Sequence, residues 1–460
     1  MDTQQLNGFK TMNLYRNPFA SPTEEAIGTD FIGRKSVLKK MHEYIINADK
    51  ISNYHIVGLP RIGKSSLLKA FKTMIQENHY SHDLVVLYIS LDECDNSNDM
   101  WRIIGKGIRK ELKKQFHSSD KYTNFIDELD FEDVDENNID YEYVCSVARC
   151  MKASGFLGLI LIDEFDNFST IATKGTVGQV RTLFSGSEYG LRAVVASRRM
   201  VERIEKEVEG ALNSNVSILA STFVNGYKLK AFNEDDMKDY WVSIEEKIGV
   251  AVSNRYKEEI DYYVGTHPCL LNLLNGNFWA EKETKNYICD DDSNLKLSEE
   301  LINKLHDSFN WAVWRDMEKW QLLRSLILST WGPDDEIPNS ELSELERYGI
   351  IDKSQFLSES SGPIRIAISR YFTEWMNLKR YVLPFGDEWS KAEGNMRKIV
   401  KCFCDDMYQG YESKMISHLE TKNANTFEKN VDPRFTAKGR FDAMKNKMSK
   451  AINKYPDMSS

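Results

Sequence analysis

The sequence predicts an α/β fold: a parallel sheet covered by helices on both faces, followed by mainly helical domains. Five apolar runs have the length and composition of buried strands, and they lie at residues 54–57, 84–91, 157–162, 191–196 and 227–229. Segments of helical periodicity separate these runs, as in a sheet whose parallel strands are joined by crossover helices. From residue 233 onward the periodicity is almost wholly helical.

The remaining elements follow from local patterns. Residues 1–30 are expected to form an extended lead-in because Pro18 and Pro22 disfavour a helix there. Helices are predicted over 36–47 and 65–77 from the spacing of apolar residues. Residues 127–142 carry nine acidic residues and no basic one. They predict a solvated loop or insertion, with a site for a basic partner as the alternative.

The predicted domains are an α/β domain at 31–232, a helical domain at 233–310, a winged-helix domain at 311–383 and a helical, basic region at 384–460. The helical domain rests on helices predicted over residues 236–248, 255–264 and 268–281. Residues 311–383 alternate helices with short strands in the order of a winged helix. A chain of 460 residues is long enough for several such domains.

Composition excludes some classes of protein. The net charge of −10 gives no overall attraction to nucleic acid or to an anionic membrane. No apolar run reaches the roughly 18 residues that a membrane-spanning helix needs. Seven irregularly spaced cysteines indicate neither a zinc site nor a disulfide framework. We therefore expect a cytoplasmic protein with reduced thiols and no membrane partner.

A glycine-rich motif follows the first predicted strand. Residues 58–66 read GLPRIGKSS, which contains GxxxxGK[ST] between a strand and a helix. Such a loop points its backbone N–H groups at phosphate oxygens, and the start of the helix adds partial positive charge. Lys64 would contact the β- and γ-phosphates, and the Ser65 hydroxyl would bind Mg²⁺. The motif predicts a site for ATP or ADP with Mg²⁺.

Polar residues end the third and fourth predicted strands. Asp163 would hold Mg²⁺ through water, and Glu164 would orient or deprotonate the attacking water. The alternative is that Glu164 is not a catalytic base, as in proteins of this kind that hydrolyse ATP slowly or not at all. Ser197 or Arg198 would sense the γ-phosphate, since parallel strands end at one edge of the sheet. The alternative there is a solvated arginine pair formed by Arg198 and Arg199.

Several segments together resemble the STAND-type branch of the AAA+ P-loop ATPases. They are FIGR at 31–34, GLPRIGKSSLL at 58–68, LILIDEFD at 159–166 and VVASRR at 194–199. The sequence GTHP at 265–268, followed by an apolar helix, resembles the turn and helix of that branch's lid. The resemblance covers residues 17–380 and implies a P-loop NTPase core, a helical lid and a winged helix.

The resemblance also implies further site residues. Residues 32–34 would lie beside the adenine, Arg198 would be the sensor arginine, and Pro268 with His267 would close on the base. By its position alone, His267 equally fits an ordinary residue at a helix start. The expected catalytic residues are Glu164, Lys64 and Arg198. The expected nucleotide contacts are Ile32, Gly33, Arg34, Gly58, Leu59, Pro60, Arg61, Ile62, Gly63, Lys64, Ser65, Ser66, Ser197, His267 and Pro268, and the expected metal ligands are Ser65 and Asp163.

By this resemblance the chain is expected to be an ATPase that serves as a regulatory switch. Members of the branch hold ADP in a closed monomer and oligomerise when ATP replaces it. We see no long repeat array for sensing, so the expected partners are a separate effector or sensor protein and further copies of this chain. Prokaryotic antiphage defence is the expected setting, by analogy alone.

The alternative function is that of a DNA-handling AAA+ ATPase of the initiator or transposition-helper type. Residues 315–380 hold nine basic and eleven acidic residues, which opposes DNA binding by the winged helix. The tail, 389–460, holds fourteen basic and nine acidic residues and would pack on the core, dock a partner or bind nucleic acid. Its nucleic-acid contacts would be Lys438, Arg440, Lys445, Lys447 and Lys450. A third possibility is a scaffold that binds ATP without hydrolysing it.

Overall fold

The computed structural model describes residues 17–19, 21, 24–47, 50–77, 83–116, 138–213, 219–280, 288, 297–309, 369 and 371. The chain divides into two compact units, the first at 1–256 with 266–296 and the second at 257–265 with 297–460. The predicted winged helix lies outside the described residues apart from Ser369 and Tyr371. The predicted basic tail lies wholly outside them.

A parallel sheet of five strands forms the centre of the first unit. The strands are β1 (Tyr54–Gly58), β2 (Leu84–Ser90), β3 (Leu157–Asp163), β4 (Leu191–Ser197) and β5 (Gly226–Leu229). Their order across the sheet is β2-β3-β4-β1-β5, and every neighbouring pair is parallel. The predicted parallel α/β sheet is confirmed, and each predicted strand is found within a residue or two of its expected bounds.

Helices cover both faces of this sheet. They are α1 (Lys35–Ile45), α2 (Lys64–Glu77), α3 (Ser97–Phe116), α4 (Tyr141–Ala153), α5 (Phe168–Ile171), α6 (Lys174–Ser185) and α7 (Val201–Leu212). One core joins α3, α4, α6 and α7 to alternate strand residues such as Ile160 and Ile162. The intervening residues Leu159 and Leu161 are also buried, and α2 contacts β1 to β4. Because side chains alternate along a strand, α2 covers the opposite face.

Among the described residues, the sheet is followed in sequence by α8 (Glu234–Ile248), α9 (Asn254–Val264) and α10 (Pro268–Ala280). A capping box between Asn233 and Asp236 starts α8, since each side chain accepts the other residue's backbone N–H. Two described residues of the lead-in contact α8 and α10. Phe19 meets Trp279 edge-on at 6.3 Å, and Lys247 forms a 2.8 Å ion pair with Asp30.

The second unit is described at few positions. It contains part of α9 and the helix α11 (Glu299–Phe309). The Ser369 hydroxyl donates to the Tyr263 carbonyl at 2.5 Å, and the Tyr371 ring lies 5.0 Å from that of Tyr263. These contacts place Tyr371 against the C-terminal turn of α9.

Two local predictions need correction. The acidic segment 127–142 is predicted to be a solvated loop or insertion, but its last two residues begin α4, capped by the Asp140 side chain. In the lead-in, Gly28–Asp30 forms a single 3₁₀ turn rather than extended chain. In the described part of the chain, no helix is long and apolar enough to cross a membrane, and the cysteines there are free thiols.

Candidate active site

The ends of neighbouring strands bring the predicted site residues to one edge of the sheet. Val57 of β1 pairs with Ser197 of β4, and β3, which ends at Asp163, is the next strand. The residues that follow these strands therefore lie side by side. In open α/β sheets this carboxyl edge is where ligands bind.

The loop between β1 and α2, residues 59–63, is named the phosphate loop below, and the glycines at its two ends are needed for two different reasons. Gly63 has a φ of 98°, and the neighbouring Arg61 also lies in the left-handed region at 55°. Gly58 is constrained by packing instead, because a Cβ atom there would lie 2.8 Å from the Leu229 carbonyl oxygen of β5. This loop after β1 of a five-stranded parallel sheet, with helices on both faces, makes the fold that of a P-loop NTPase.

Lys64 is a buried cation at the first residue of α2. Its Nζ donates to the carbonyl oxygens of Gly58 at 3.1 Å and Leu59 at 3.0 Å. Burial lowers the pKa of Lys64, while three nearby carboxylates, led by that of Glu164, act in the opposite direction. The ammonium could exchange these two neutral carbonyls for phosphate oxygens, which form stronger, charge-assisted bonds.

Asp163 ends β3 as a buried carboxylate, 2% exposed. Its Oδ2 accepts from the Tyr88 hydroxyl at 2.9 Å, and its Oδ1 accepts from the Glu164 N–H at 2.9 Å. Burial first, then Asp163, raises the pKa of Tyr88 well above its usual range, so the phenol remains a donor. Each oxygen of Asp163 keeps a lone pair for a further ligand.

The carboxylate of Asp163 and the Ser65 hydroxyl on α2 suit Mg²⁺, which prefers oxygen ligands and keeps several waters. In the described part of the chain, no cluster of three or more His, Cys, Asp or Glu side chains could hold a metal ion. A metal here would therefore take its other ligands from phosphate and water. The residues present fit that kind of site.

Glu164 follows Asp163 in a left-handed conformation, with a φ of 47°. It is half-buried, and burial is the main reason that its pKa is raised. Asp163 and Asp92 raise the pKa further, while Lys64 and Arg198 lower it. A strained backbone and a perturbed carboxyl group at a ligand-binding edge indicate a functional residue.

Asp166 holds the end of β4, a role that sequence reasoning missed. It is fully buried, and its carboxylate accepts from the backbone N–H groups of Arg198 at 2.6 Å and Arg199 at 3.1 Å. The Arg199 Nε donates to it at 2.8 Å, and the Arg198 Nε lies 3.6 Å away. Arg199 is thus committed to Asp166 and to Glu207, at 2.5 Å.

Ser197 is fully buried and engaged within the protein. Its hydroxyl donates to the Arg199 carbonyl at 2.5 Å and lies 2.7 Å from Nε2 of His55 on β1. Burial is the main reason that the pKa of His55 falls to about 4. Of the two residues expected to sense a γ-phosphate, Arg198 is the partly exposed one, with a side chain 29% exposed.

Arg34 is buried and binds three separate segments. Its backbone N–H donates to Asp236 of α8 at 2.6 Å, and its guanidinium lies 3.5 Å from the same carboxylate. Nη2 donates to the carbonyl oxygens of Lys230 at 2.7 Å and Ile62 at 3.4 Å. The guanidinium also lies 4.7 Å from the centre of the Phe232 ring. Arg34 therefore joins the phosphate loop to α8.

His267 lies fully buried immediately before α10. Burial first, then the cations Arg34 and Lys64, lower its pKa to about 3. In the described part of the chain, no group forms a well-aligned hydrogen bond to its ring nitrogens, although the Pro60 backbone lies close enough to favour the charged form slightly. His267 thus packs, uncharged, against the phosphate loop.

The structure brings most of the expected site residues together around the loop 59–63. Lys64, Glu164 and Arg198 influence one another electrostatically, and His267 lies beside Pro60. The side chains of Arg34 and Ser197 are hydrogen-bonded within the protein. For these two residues, as for the others, contact with a nucleotide stays a prediction. Sequence reasoning missed Tyr88, whose position in an apolar strand carried no signal of its polar partner.

Neither the protein-family models nor the curated proteins contain a match to this chain. A Walker-type ATPase of Pyrococcus abyssi is 12% identical, with 76% of this chain and 97% of that chain covered and a TM-score of 0.47. The ORC1 protein of Aeropyrum pernix in complex with DNA is 12% identical, with 76% of this chain and 93% of that chain covered and a TM-score of 0.37. The RuvB Holliday junction branch migration motor of Thermotoga maritima is 14% identical, with 78% of this chain and 98% of that chain covered and a TM-score of 0.35. Similarity this low assigns no function to the chain.

Proposed function

We propose that this chain binds ATP or ADP with Mg²⁺ at the carboxyl edge of its sheet and hydrolyses ATP to ADP and phosphate. One observation carries the proposal: a buried lysine, a buried carboxylate and a left-handed glycine loop meet where parallel strands end. In the described part of the chain, the Lys64 ammonium is hydrogen-bonded only to carbonyl oxygens. Burying an ammonium in this way is costly, and a triphosphate would compensate that cost.

Each residue has a distinct task in this proposal. Lys64 binds the β- and γ-phosphates, and Ser65 with Asp163 holds the metal, which neutralises charge on the phosphates when bound. Glu164 takes a proton from the attacking water, and its raised pKa makes it a stronger base than an ordinary glutamate. Arg198 contacts the γ-phosphate from the end of β4.

On the other side of the loop, residues 32–34 and the start of α10 would contact the adenine. The guanidinium and the backbone N–H of Arg34 are both hydrogen-bonded within the protein, so the backbone of Ile32 and Gly33 is the more suitable contact surface for the adenine. His267 and Pro268 would approach from α10. These assignments rest on the resemblance to STAND-type ATPases and on the packing of His267 against Pro60.

We further propose that nucleotide exchange drives a switch of the STAND type. Support comes from the bonds of Arg34, which reach both the Ile62 carbonyl in the phosphate loop and Asp236 on α8. A loop that changes shape between ADP and ATP would move α8 through this link. In the ATP state the chain would assemble with further copies and act on a separate effector, with antiphage defence as the proposed setting.

Glu164→Gln tests the catalytic part of the proposal. Removing a general base should lower ATP turnover about 100-fold or more, while nucleotide affinity stays near that of the parent. Phosphate release and calorimetric titration measure the two quantities. Equal turnover in variant and parent would remove Glu164 from catalysis and favour a scaffold that does not hydrolyse ATP.

Light scattering tests the switch. The parent is measured with ADP and with a non-hydrolysable ATP analogue, each with and without duplex DNA. Assembly with the analogue alone supports the switch, and Glu164→Gln should then assemble with ATP itself. Assembly that requires DNA, and that weakens with salt, would instead favour the DNA-handling alternative. A single size under all conditions would contradict both.

A further inference from the structure

Tyr88 interrupts an otherwise aliphatic strand beside the proposed metal ligand. It lies on β2 opposite Leu161 of β3, two residues before the end of that strand. The other residues of β2 from Leu84 to Ile89 are valine, leucine or isoleucine. A phenylalanine would suit the same environment, so the hydroxyl group calls for a separate explanation.

The hydroxyl reaches across to the carboxylate of Asp163, where it donates to Oδ2 at 2.9 Å. The other oxygen, Oδ1, accepts from the Glu164 N–H. These two donors fix both oxygens of the buried carboxylate, so its orientation is set before any ligand arrives. A free carboxylate would lose rotational freedom on binding, which weakens affinity.

The Tyr88 ring is itself held by the helix that begins in the phosphate loop. The Nζ of Lys69, on α2, lies 4.8 Å from the ring centre, within cation–π range. Lys69 also forms an ion pair with Glu25 in the lead-in. The chain of contacts therefore runs from the lead-in, through α2 and Tyr88, to Asp163.

We propose that Tyr88 is a positioning residue for Mg²⁺, acting through its hydrogen bond to Asp163. The inference rests on the proposed nucleotide and metal site. Tyr88 does not bind the metal. It holds one oxygen of Asp163 so that the carboxylate keeps the orientation in which it accepts the water ligands of the ion, as partners behind a ligand commonly do.

The test compares Tyr88→Phe with the parent in the full chain. Binding of a fluorescent ADP analogue is measured in EDTA and over a range of Mg²⁺ concentrations. We expect the Mg²⁺ concentration for half-maximal binding to rise about 10-fold, while affinity in EDTA stays within about twofold of the parent. Tyr227→Phe is the matched control, since Tyr227 lies in β5 with the Lys40 Nζ 6.0 Å from its ring.

Asp163→Asn separates the inference from the proposed function. If it abolishes the Mg²⁺ dependence and Tyr88→Phe behaves like the parent, the metal site stands and the role of Tyr88 is overturned. If Asp163→Asn leaves the dependence unchanged, the proposed metal site itself is wrong. Equal weakening of Tyr88→Phe in EDTA and in Mg²⁺ would show a purely structural tyrosine, and would also overturn the inference.

Discussion

Two buried cations flank the phosphate loop, and their partners differ in kind. Lys64 donates to two carbonyl oxygens of its own loop. Arg34 is bonded to a carboxylate 202 residues away and to carbonyls from two other segments. Local, neutral partners leave Lys64 available to a stronger anion. Distant and charged partners commit Arg34 to holding the structure together.

Substitution of Arg34 should have the largest effect on stability. Arg34→Ala removes a buried ion pair, bonds to two segments and the contact with Phe232, so the free energy of unfolding should fall by about 3 kcal/mol. Urea denaturation measures it. Lys35→Ala is the control because its ion pair with Asp239 is exposed, and it should change stability by less than about 1 kcal/mol. Equal losses of stability in Arg34→Ala and Lys35→Ala would contradict the structural role given to Arg34.

Asp166→Asn sharpens the comparison on the other side of the loop. An amide oxygen cannot replace both oxygens that accept from Arg198 and Arg199, so unfolding should become easier by about 2 kcal/mol. Turnover should fall more than nucleotide affinity, because Arg198 would be displaced. Glu207→Gln, which also affects Arg199, is the control and should leave turnover unchanged.

His267 lies near both cations, and its lowered pKa predicts that the stability of the protein depends on pH. Its pKa is about 3 in the folded chain and near 6.5 when unfolded. The unfolded state therefore binds the proton first as the pH falls, and stability is lost between pH 6.5 and 3. Between pH 7 and pH 5, His267 alone should lower the free energy of unfolding by about 2 kcal/mol. His55, whose pKa is also lowered, acts in the same direction.

Urea denaturation at pH 7 and pH 5 checks this, on the parent and on His267→Gln. The variant should lose about 2 kcal/mol less than the parent between the two pH values. If both lose the same amount, His267 is not held uncharged against the phosphate loop.

The sequence was informative wherever neighbours along the chain decide the structure. The strands, the loop and the carboxylate pair at Asp163 follow from apolar runs and one contiguous motif. Tyr88 and Asp163 lie 75 residues apart, and Arg34 and Asp236 lie 202 apart. Those pairings depend on strand order and helix placement. Motif reasoning therefore located the site, while the residues that orient it required the structure.

The most direct test of the nucleotide site is calorimetric titration of the parent, Lys64→Ala and Lys39→Ala with a non-hydrolysable ATP analogue and Mg²⁺. Lys39 is an exposed lysine on α1 and serves as the matched control. Loss of about 2 kcal/mol of charge-assisted bonding predicts binding roughly 30-fold weaker for Lys64→Ala, with Lys39→Ala like the parent. Undiminished binding by a folded Lys64→Ala protein would contradict the assignment of Lys64 to the phosphates.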